Sequence, residues 1–342
     1  MTEYSRRNFL NQVGIGAASV AAMAATGCAS SNSASAEASA VTTPDAADKS
    51  ITGPYLNLLE SAEDNMVAYA RLQGNLDSSK VKYGWYKGMV SAVMPGKPVQ
   101  DLFMMEGFSC ARLLPIEGGV GYHKVLREVG FYREQRFGRA GDIMKTWKNP
   151  LTKEEVNVVP IANDPFNYDI TPNFPEPPNY GGLNTGKPFP KIPLKLPWNP
   201  QVYNNTARLD TRINLFYPNA LDPDKWPRES AGKMNRVTEI FQYNIDLDDL
   251  QNPDQTTTKY NGTWARITPW LPWMLMGQTP GHIVYTTYMG GVDSLDELPQ
   301  DLVAAAADID EKYLDAPTEV YGPSLSSLER YALEQEPAPA KD

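Results

Sequence analysis

From Lys82 onward the apolar residues of this chain alternate with polar ones, and no single feature limits the fold more. Lys82–Val93, Leu102–Leu114 and Tyr122–Arg133 each run with a period of two, the repeat that sends successive side chains to opposite faces of a strand. Asp142–Trp147 and Val156–Asn163 follow, joined by the turn-like Lys148-Asn149-Pro150-Leu151-Thr152-Lys153. Thr206–Tyr217, Arg236–Ile245, Tyr260–Thr268 and His282–Met289 complete about nine strands. The early intervals are short and hold no helix-length pattern, so antiparallel neighbours are expected rather than a parallel α/β sheet. So many strands in series need their edges managed, and closing the sheet into a barrel does so. The expectation is a mainly β fold, an antiparallel barrel-like sheet with flanking N- and C-terminal helices; a β-sandwich is the alternative.

Helical spacing frames the alternating region. Leu59, Ala62, Met66 and Ala70 place a helix within Tyr55–Leu72, and Leu295, Leu298, Leu302, Val303, Ala306 and Ile309 place another within Asp293–Leu314. Leu325–Leu333 suits a further short helix. Residues 165–200 stand apart, because ten of these 36 positions are proline. Such a segment lacks the backbone donors of a central strand, and either a binding-site lid or a surface strap fits it. The organisation read from the chain is an export signal over residues 1–28, a disordered Ala/Ser/Thr linker over 29–52, one β-rich domain over 53–317, and a helix with a loose tail over 318–342.

Ser5-Arg6-Arg7-Asn8-Phe9-Leu10, followed by an uncharged Gly/Ala-rich run to Gly27, resembles a twin-arginine export signal. The expected destination is the periplasm or another extracytoplasmic site, with the twin-arginine translocation machinery as a partner. Ala25-Thr26-Gly27-Cys28 resembles a lipoprotein cleavage box, which makes Cys28 the lipidation candidate; Ala38-Ser39-Ala40 would instead release a soluble protein. The apolar run is too short and too poor in large aliphatics for a membrane span, so any lipid would anchor the chain without spanning.

A formal charge of −10 argues against nucleic acid as a partner. With only Cys28, Cys110, His123 and His282 available, there is no three-histidine metal site and no CxxC; no metal site is expected. No dinucleotide, phosphate-loop or nucleophile-elbow motif occurs, and the cofactor stays unknown.

Strand parity selects the candidate site. In Tyr122–Arg133 the more apolar face carries His123, Val125, Arg127, Val129 and Phe131; in Arg236–Ile245, Glu239 sits among Val237, Phe241 and Tyr243. Buried charges are costly unless paired. His123, Arg127 and Glu239, with Arg112 and Glu106 on one face of Leu102–Leu114, should therefore neutralise one another or line a polar pocket. In the pocket reading His123 and Glu239 are the acid/base candidates, and Arg112 and Arg127 hold an anionic oxygen. The run Trp264–Gly277 packs three tryptophans and two methionines into fourteen positions. It is either a corner of the core or an aromatic wall that brings Arg266, Trp270 and Trp273 to a ligand.

Several of these motifs together resemble a known family. Trp147-Lys148-Asn149-Pro150-Leu151-Thr152-Lys153-Glu154, Ala162-Asn163-Asp164-Pro165, Trp264 to Met274 and Leu295-Asp296-Glu297-Leu298-Pro299 are similar to the bacterial family called domain of unknown function 1838, over roughly residues 55–317. Lys153 stands where the pattern W-x-N-P-x-T-G-E has glycine. The resemblance implies one coherent domain and transfers no catalytic residue. The functional expectation comes from the residues: an exported protein that binds, and by acid/base chemistry transforms, an apolar or aromatic small molecule. A non-catalytic carrier or sensor and a partner-docking envelope protein are the alternatives.

Overall fold

The computed structural model describes residues 54–136, 139–201 and 204–340. The segments expected to be an export signal and a linker, with the lipidation candidate Cys28, lie outside the described residues. Helix α1 (Ala62–Gln73) starts later than the apolar spacing suggests, because Ser61 caps it: the Ser61 hydroxyl accepts from Asp64 N, and Glu63 and Asp64 occupy the positive first turn.

Twelve strands follow: β1 (Lys82–Val93), β2 (Gln100–Pro115), β3 (Tyr122–Arg136), β4 (Arg139–Ile143), β5 (Thr146–Lys148), β6 (Glu155–Asn157), β7 (Ile161–Ile170), β8 (Trp198–Gln201), β9 (Thr206–Pro218), β10 (Met234–Asp246), β11 (Tyr260–Thr268) and β12 (His282–Val292). Ten of them form one antiparallel sheet in the order β4-β3-β2-β1-β12-β11-β10-β9-β8, with β7 also paired to β3; β5 and β6 make a separate hairpin. The helices are α2 (Leu247–Gln251), α3 (Gln300–Ile309) and α4 (Ser327–Glu334).

The expected closed barrel is not found, and neither is a sandwich: the large sheet is open. It is nevertheless strongly curled. The hydroxyls of Tyr132 on β3 and Tyr285 on β12 interact although three ladders separate them, about 14 Å along a flat sheet. The rings of Tyr86 on β1 and Trp264 on β11 meet at 5.5 Å. Curling gives one face a concave interior, and the register fixes its residues: Lys82, Tyr86 and Val90 on β1, opposite Met105 and Phe103 on β2, and Glu128 and Tyr132 on β3. Glu239, Arg266 and Tyr285 lie on the same face of β10, β11 and β12.

β3 is therefore turned over relative to the sequence reading. Its more apolar face is the convex one, where Val129 and Phe131 pack with Phe108 and Cys110 under Leu298, Leu302 and Ala306 of the α3 region. The apolar stripe of α3 needed a sheet face to bury against, and it covers this one. The polar face of β3 is left to line the interior.

Residues 165–170 of the proline-rich segment are strand after all, since β7 runs through Pro165 to Ile170 against β3, and the part between β7 and β8 is a strap. Phe174 N donates to Ile192 O and Leu194 N to Pro172 O, and Leu194 and Phe174 pack beside Met66 and Ala70 of α1. Asn65, fully buried, fastens the strap to α1: its Nδ2 donates to Leu58 O and Ser61 O, while its Oδ1 accepts from Leu196 N and Trp198 Nε1. One outer edge of the sheet is β8, four residues long and containing Pro200. β7 is covered by the chain near Ser324, whose hydroxyl accepts from Asn167 N and donates to Asn167 O.

Candidate functional site

The concave face carries Glu128, Glu239 and Arg266. At its centre Tyr86 lies flat across the sheet and donates to Val129 O at 3.2 Å. Gly107 and Gly130 permit this, since a Cβ at either would stand within 2.4 or 2.6 Å of the Tyr86 oxygen. On one side Glu128 accepts from Asn163 Nδ2 at 2.8 Å. On the other, Arg266 Nη1 pairs with Glu239 at 3.2 Å. The pair is not sealed, because 25% of the Arg266 side chain and 17% of Glu239 stay accessible.

Burial pushes the Glu239 carboxyl above the usual range; Arg266 opposes that shift and the charge of Glu128 adds to it. Burial works against the Arg266 charge, but Glu239 and the hydroxyls of Tyr285, Tyr217 and Tyr132 outweigh it and hold the guanidinium above its ordinary value. Tyr132 and Tyr285 are both raised by burial, with Arg266 lowering each in part. The face thus offers a fixed cation, a carboxylic acid that keeps its proton to higher pH, and neutral hydroxyls.

At this point of the face a cavity of about 90 Å³ opens. Arg266, Tyr132, Tyr285, Trp270 and Trp273 contribute walls, and α4 roofs it with Leu328, Arg330 and Tyr331. No residue of the proline-rich strap lines it. Trp273 belongs both to the core and to the wall: it is 4% exposed and packs on Tyr132 at 5.1 Å, Phe103 at 5.4 Å and Trp147 at 5.8 Å. Asn149 ties the same parts together, its Nδ2 donating to Met274 O at 2.9 Å and its Oδ1 accepting from Leu151 N. The two tryptophan motifs of the sequence are thus one structural unit behind the cavity.

The sequence-predicted site residues separate into two groups. Glu239, Arg266, Trp270 and Trp273 come together. His123, Arg127 and Arg112 do not join them, because all three lie on the convex face. His123 Nδ1 stands 2.6 Å from Asp169 at the surface. Arg127 Nε donates to Asp164 at 3.0 Å and its Nη2 to Tyr321. Arg112 donates to Pro317 O, Ser78 O and Asp315. Both arginines thereby clamp the chain after α3. Glu106 pairs with Arg133 at 2.7 Å and Lys87 at 3.2 Å, not with Arg112.

Sequence reasoning missed Glu128, Tyr132, Tyr285, Lys82 and Lys124. Lys124 Nζ donates to Gln73 Oε1 and to the Tyr168 hydroxyl, and Lys82 Nζ donates to Arg71 O and Thr258 O. Burial lowers each lysine to about 7. The available signal was Glu128 and Tyr132 sharing one parity of β3; it was discounted because the other parity is more apolar. Among the described residues no group of three His, Cys, Asp or Glu side chains is placed to hold a metal ion, and no helix is long and apolar enough to cross a membrane.

A comparison with curated proteins gives no match. Residues 79–333, which contain the whole curled sheet, its covering α3 and most of the α4 roof, match the family described as Protein of unknown function (DUF1838), and the chain belongs to that family.

Proposed function

We propose that this chain is an exported protein that binds a small molecule in the cavity of its concave face, and that Arg266 and Glu239 act on that molecule. Arg266 donates from its guanidinium to an oxygen of the ligand, Trp270 and Trp273 supply the apolar wall, and Glu239 gives or takes the proton. The observation that carries this reading is the Arg266–Glu239 pair itself. It lies inside the curl, is partly accessible, and Arg266 also lines the cavity. His123, Arg127 and Arg112 have no part in the proposed chemistry, since the convex face holds them.

Native mass spectrometry of the purified chain tests binding: a small organic mass should accompany the wild type and be lost from Arg266→Met. With that compound in hand, Glu239→Gln should still bind it but lower turnover by about a hundredfold or more, the usual size of a general acid/base contribution. Unchanged turnover removes Glu239 from the chemistry. The carrier reading draws support from the same ion pair, which holds Glu239 in place; release of the ligand intact by a catalytically silent wild type decides for it.

Export rests on Ser5-Arg6-Arg7-Asn8-Phe9-Leu10 and the run behind it. Replacing Arg6 and Arg7 with lysine should trap the chain in the cytoplasm. A diacylglycerol mass on an N-terminal Cys28 would establish a lipid anchor, and a mature chain starting beyond Cys28 would eliminate it.

A further inference from the structure

The α3 region covers the convex face over β2 and β3 and leaves it bare over β9 to β11, where Phe216 is 62% exposed and Ile267 42%. At one end of this bare face an open cleft of about 510 Å³ lies between the start of β10, the start of β12 and the loop that joins β11 to β12. It shares with the concave-face cavity only a rim of Ala231, Thr268, Pro269 and Trp270. Thr238, Ile267 and Val284 form one row across β10, β11 and β12. Arg236 and His282 stand two residues further along β10 and β12 towards the same end, so they keep that face. Two ladders separate their backbones, about 10 Å, and both side chains line the cleft.

We infer that this cleft binds a small organic carboxylate with an apolar body. Arg236 and His282 take the carboxylate between them, and the body lies on Ile267 towards Phe216, the register partner of Arg236 on β9. The site goes beyond the Arg266–Glu239 cavity and does not depend on that reading.

Charge is the first argument. Arg127, Arg133, Arg228 and Arg266 each pair with a carboxylate. Arg236, Gln278 and His282 make no side-chain hydrogen bond or ion pair among the described residues. Arg236 and Gln278 are exposed and His282 is half-buried, so solvent reaches their donors. The other side-chain donors of the cleft are engaged or turned away: Thr238 donates to Asn214, Thr279 to Met276 O and Trp270 Nε1 to Thr279 O, while Thr268 is buried. None of the thirteen lining residues is acidic, although the chain carries 41 Asp and Glu in 342 positions. Glu239, next to Thr238, faces the concave side and is held by Arg266. An unpaired guanidinium offers a planar fork of donors that fits a carboxylate with two parallel bonds. Arg236 is the one permanent charge on the cleft, which matches a monoanion; a phosphate dianion would bring a second charge with nothing to meet it.

Rigidity is the second argument. Gly277 N donates to Arg228 O at 2.7 Å, Thr279 N to Met276 O at 3.1 Å and Trp270 Nε1 to Thr279 O at 2.8 Å, which pins the loop wall. Gly281, with φ of 135°, approaches the sheet so closely that a Cβ there would stand 2.7 Å from Val93 O. A ligand meets a preformed concavity, inside the range of about 300–1,000 Å³ for small-molecule sites.

Phenylacetate is the probe. Its controls are phenylacetamide, which has the same shape without the charge, acetate, which has no body, and phenyl phosphate, a dianion. Titration of the full chain, followed by backbone amide NMR, should shift Gln278, Thr279, Gly281 and His282 and leave Trp273 in place. Phenylacetate should bind about tenfold more tightly than phenylacetamide, the size of a hydrogen bond to a charged group, and more tightly than acetate, which forgoes burial of the ring. Arg236→Gln should bring phenylacetate down to the level of phenylacetamide, and Arg236→Lys should recover part of the loss, both with the wild-type circular dichroism spectrum. Ile267→Thr should weaken phenylacetate and leave acetate unchanged. Equal binding of phenylacetate and phenylacetamide, a silent Arg236→Gln or a preference for phenyl phosphate overturns the inference. Shifts centred on Trp273 overturn it too, since they put the probe in the concave cavity. The cavity reading is judged separately, by the co-purifying mass and Arg266→Met, and survives a failure here.

Discussion

Lys153 shows how a single position reports on the backbone that holds it. It sits in the turn between β5 and β6 with φ of 65°, and its N–H donates to Asn149 O. A side chain in this left-handed region costs about 1–2 kcal/mol, whereas glycine takes it freely. The glycine of the W-x-N-P-x-T-G-E pattern is thus what the geometry asks for. Lys153→Gly should raise stability by about 0.5–1 kcal/mol, read as a higher urea midpoint at unchanged slope. Asn65 is the opposite case, a polar residue with four bonds and no exposure. Asn65→Ala leaves Leu196 N and Trp198 Nε1 without an acceptor and should cost on the order of 3 kcal/mol in the same measurement. Nothing in the sequence marked Asn65 as special, because its partners lie in a strap more than a hundred residues away.

At the scale of elements, strand positions were legible and strand facing was not. Period-two runs located β1, β2, β3, β9, β10, β11 and β12 closely, since each is long and half its residues seek burial. β8 was hidden among prolines, and β4 and β5 read as one strand because both are too short to show a period. The facing of β3 failed for a physical reason: both of its faces are covered, one by side chains across the curl and one by the α3 region, so apolarity alone cannot say which is inside. That one error moved His123 and Arg127 to the wrong side and concealed Glu128. Element α4 carries its own signal. Ser326 and Glu329 form a reciprocal capping box at its start. Ser326→Ala should weaken the helix by about 1 kcal/mol and speed amide exchange over 327–334, with little change in the sheet, if α4 is an independently opening roof.

For the whole molecule, the buried titratable groups set a stability optimum on the alkaline side of neutrality. Lys82 and Lys124 have folded values of about 7 against 10.5 for the free side chain. From pH 7 to 10 the unfolded chain therefore binds more protons than the folded one, and stability rises with pH. The buried tyrosines act in the reverse sense above pH 10: burial lifts Tyr69 to about 12, so the unfolded chain loses its protons first and stability falls. Urea midpoints should climb between pH 7 and 9.5 and decline beyond pH 10.5; Lys82→Met should flatten the climb. The same molecule leaves its sheet unclosed, and its rims bear on how it behaves in a crowd. β8 is short and interrupted by Pro200, and the outer rim of β7 is occupied by Ser324. Past β8, the outer side of β9 from Asp210 to Phe216 pairs with no strand among the described residues, a run of free amides that a neighbouring copy can extend. Molecules accumulating in a confined compartment should therefore meet first along β9, rim to rim.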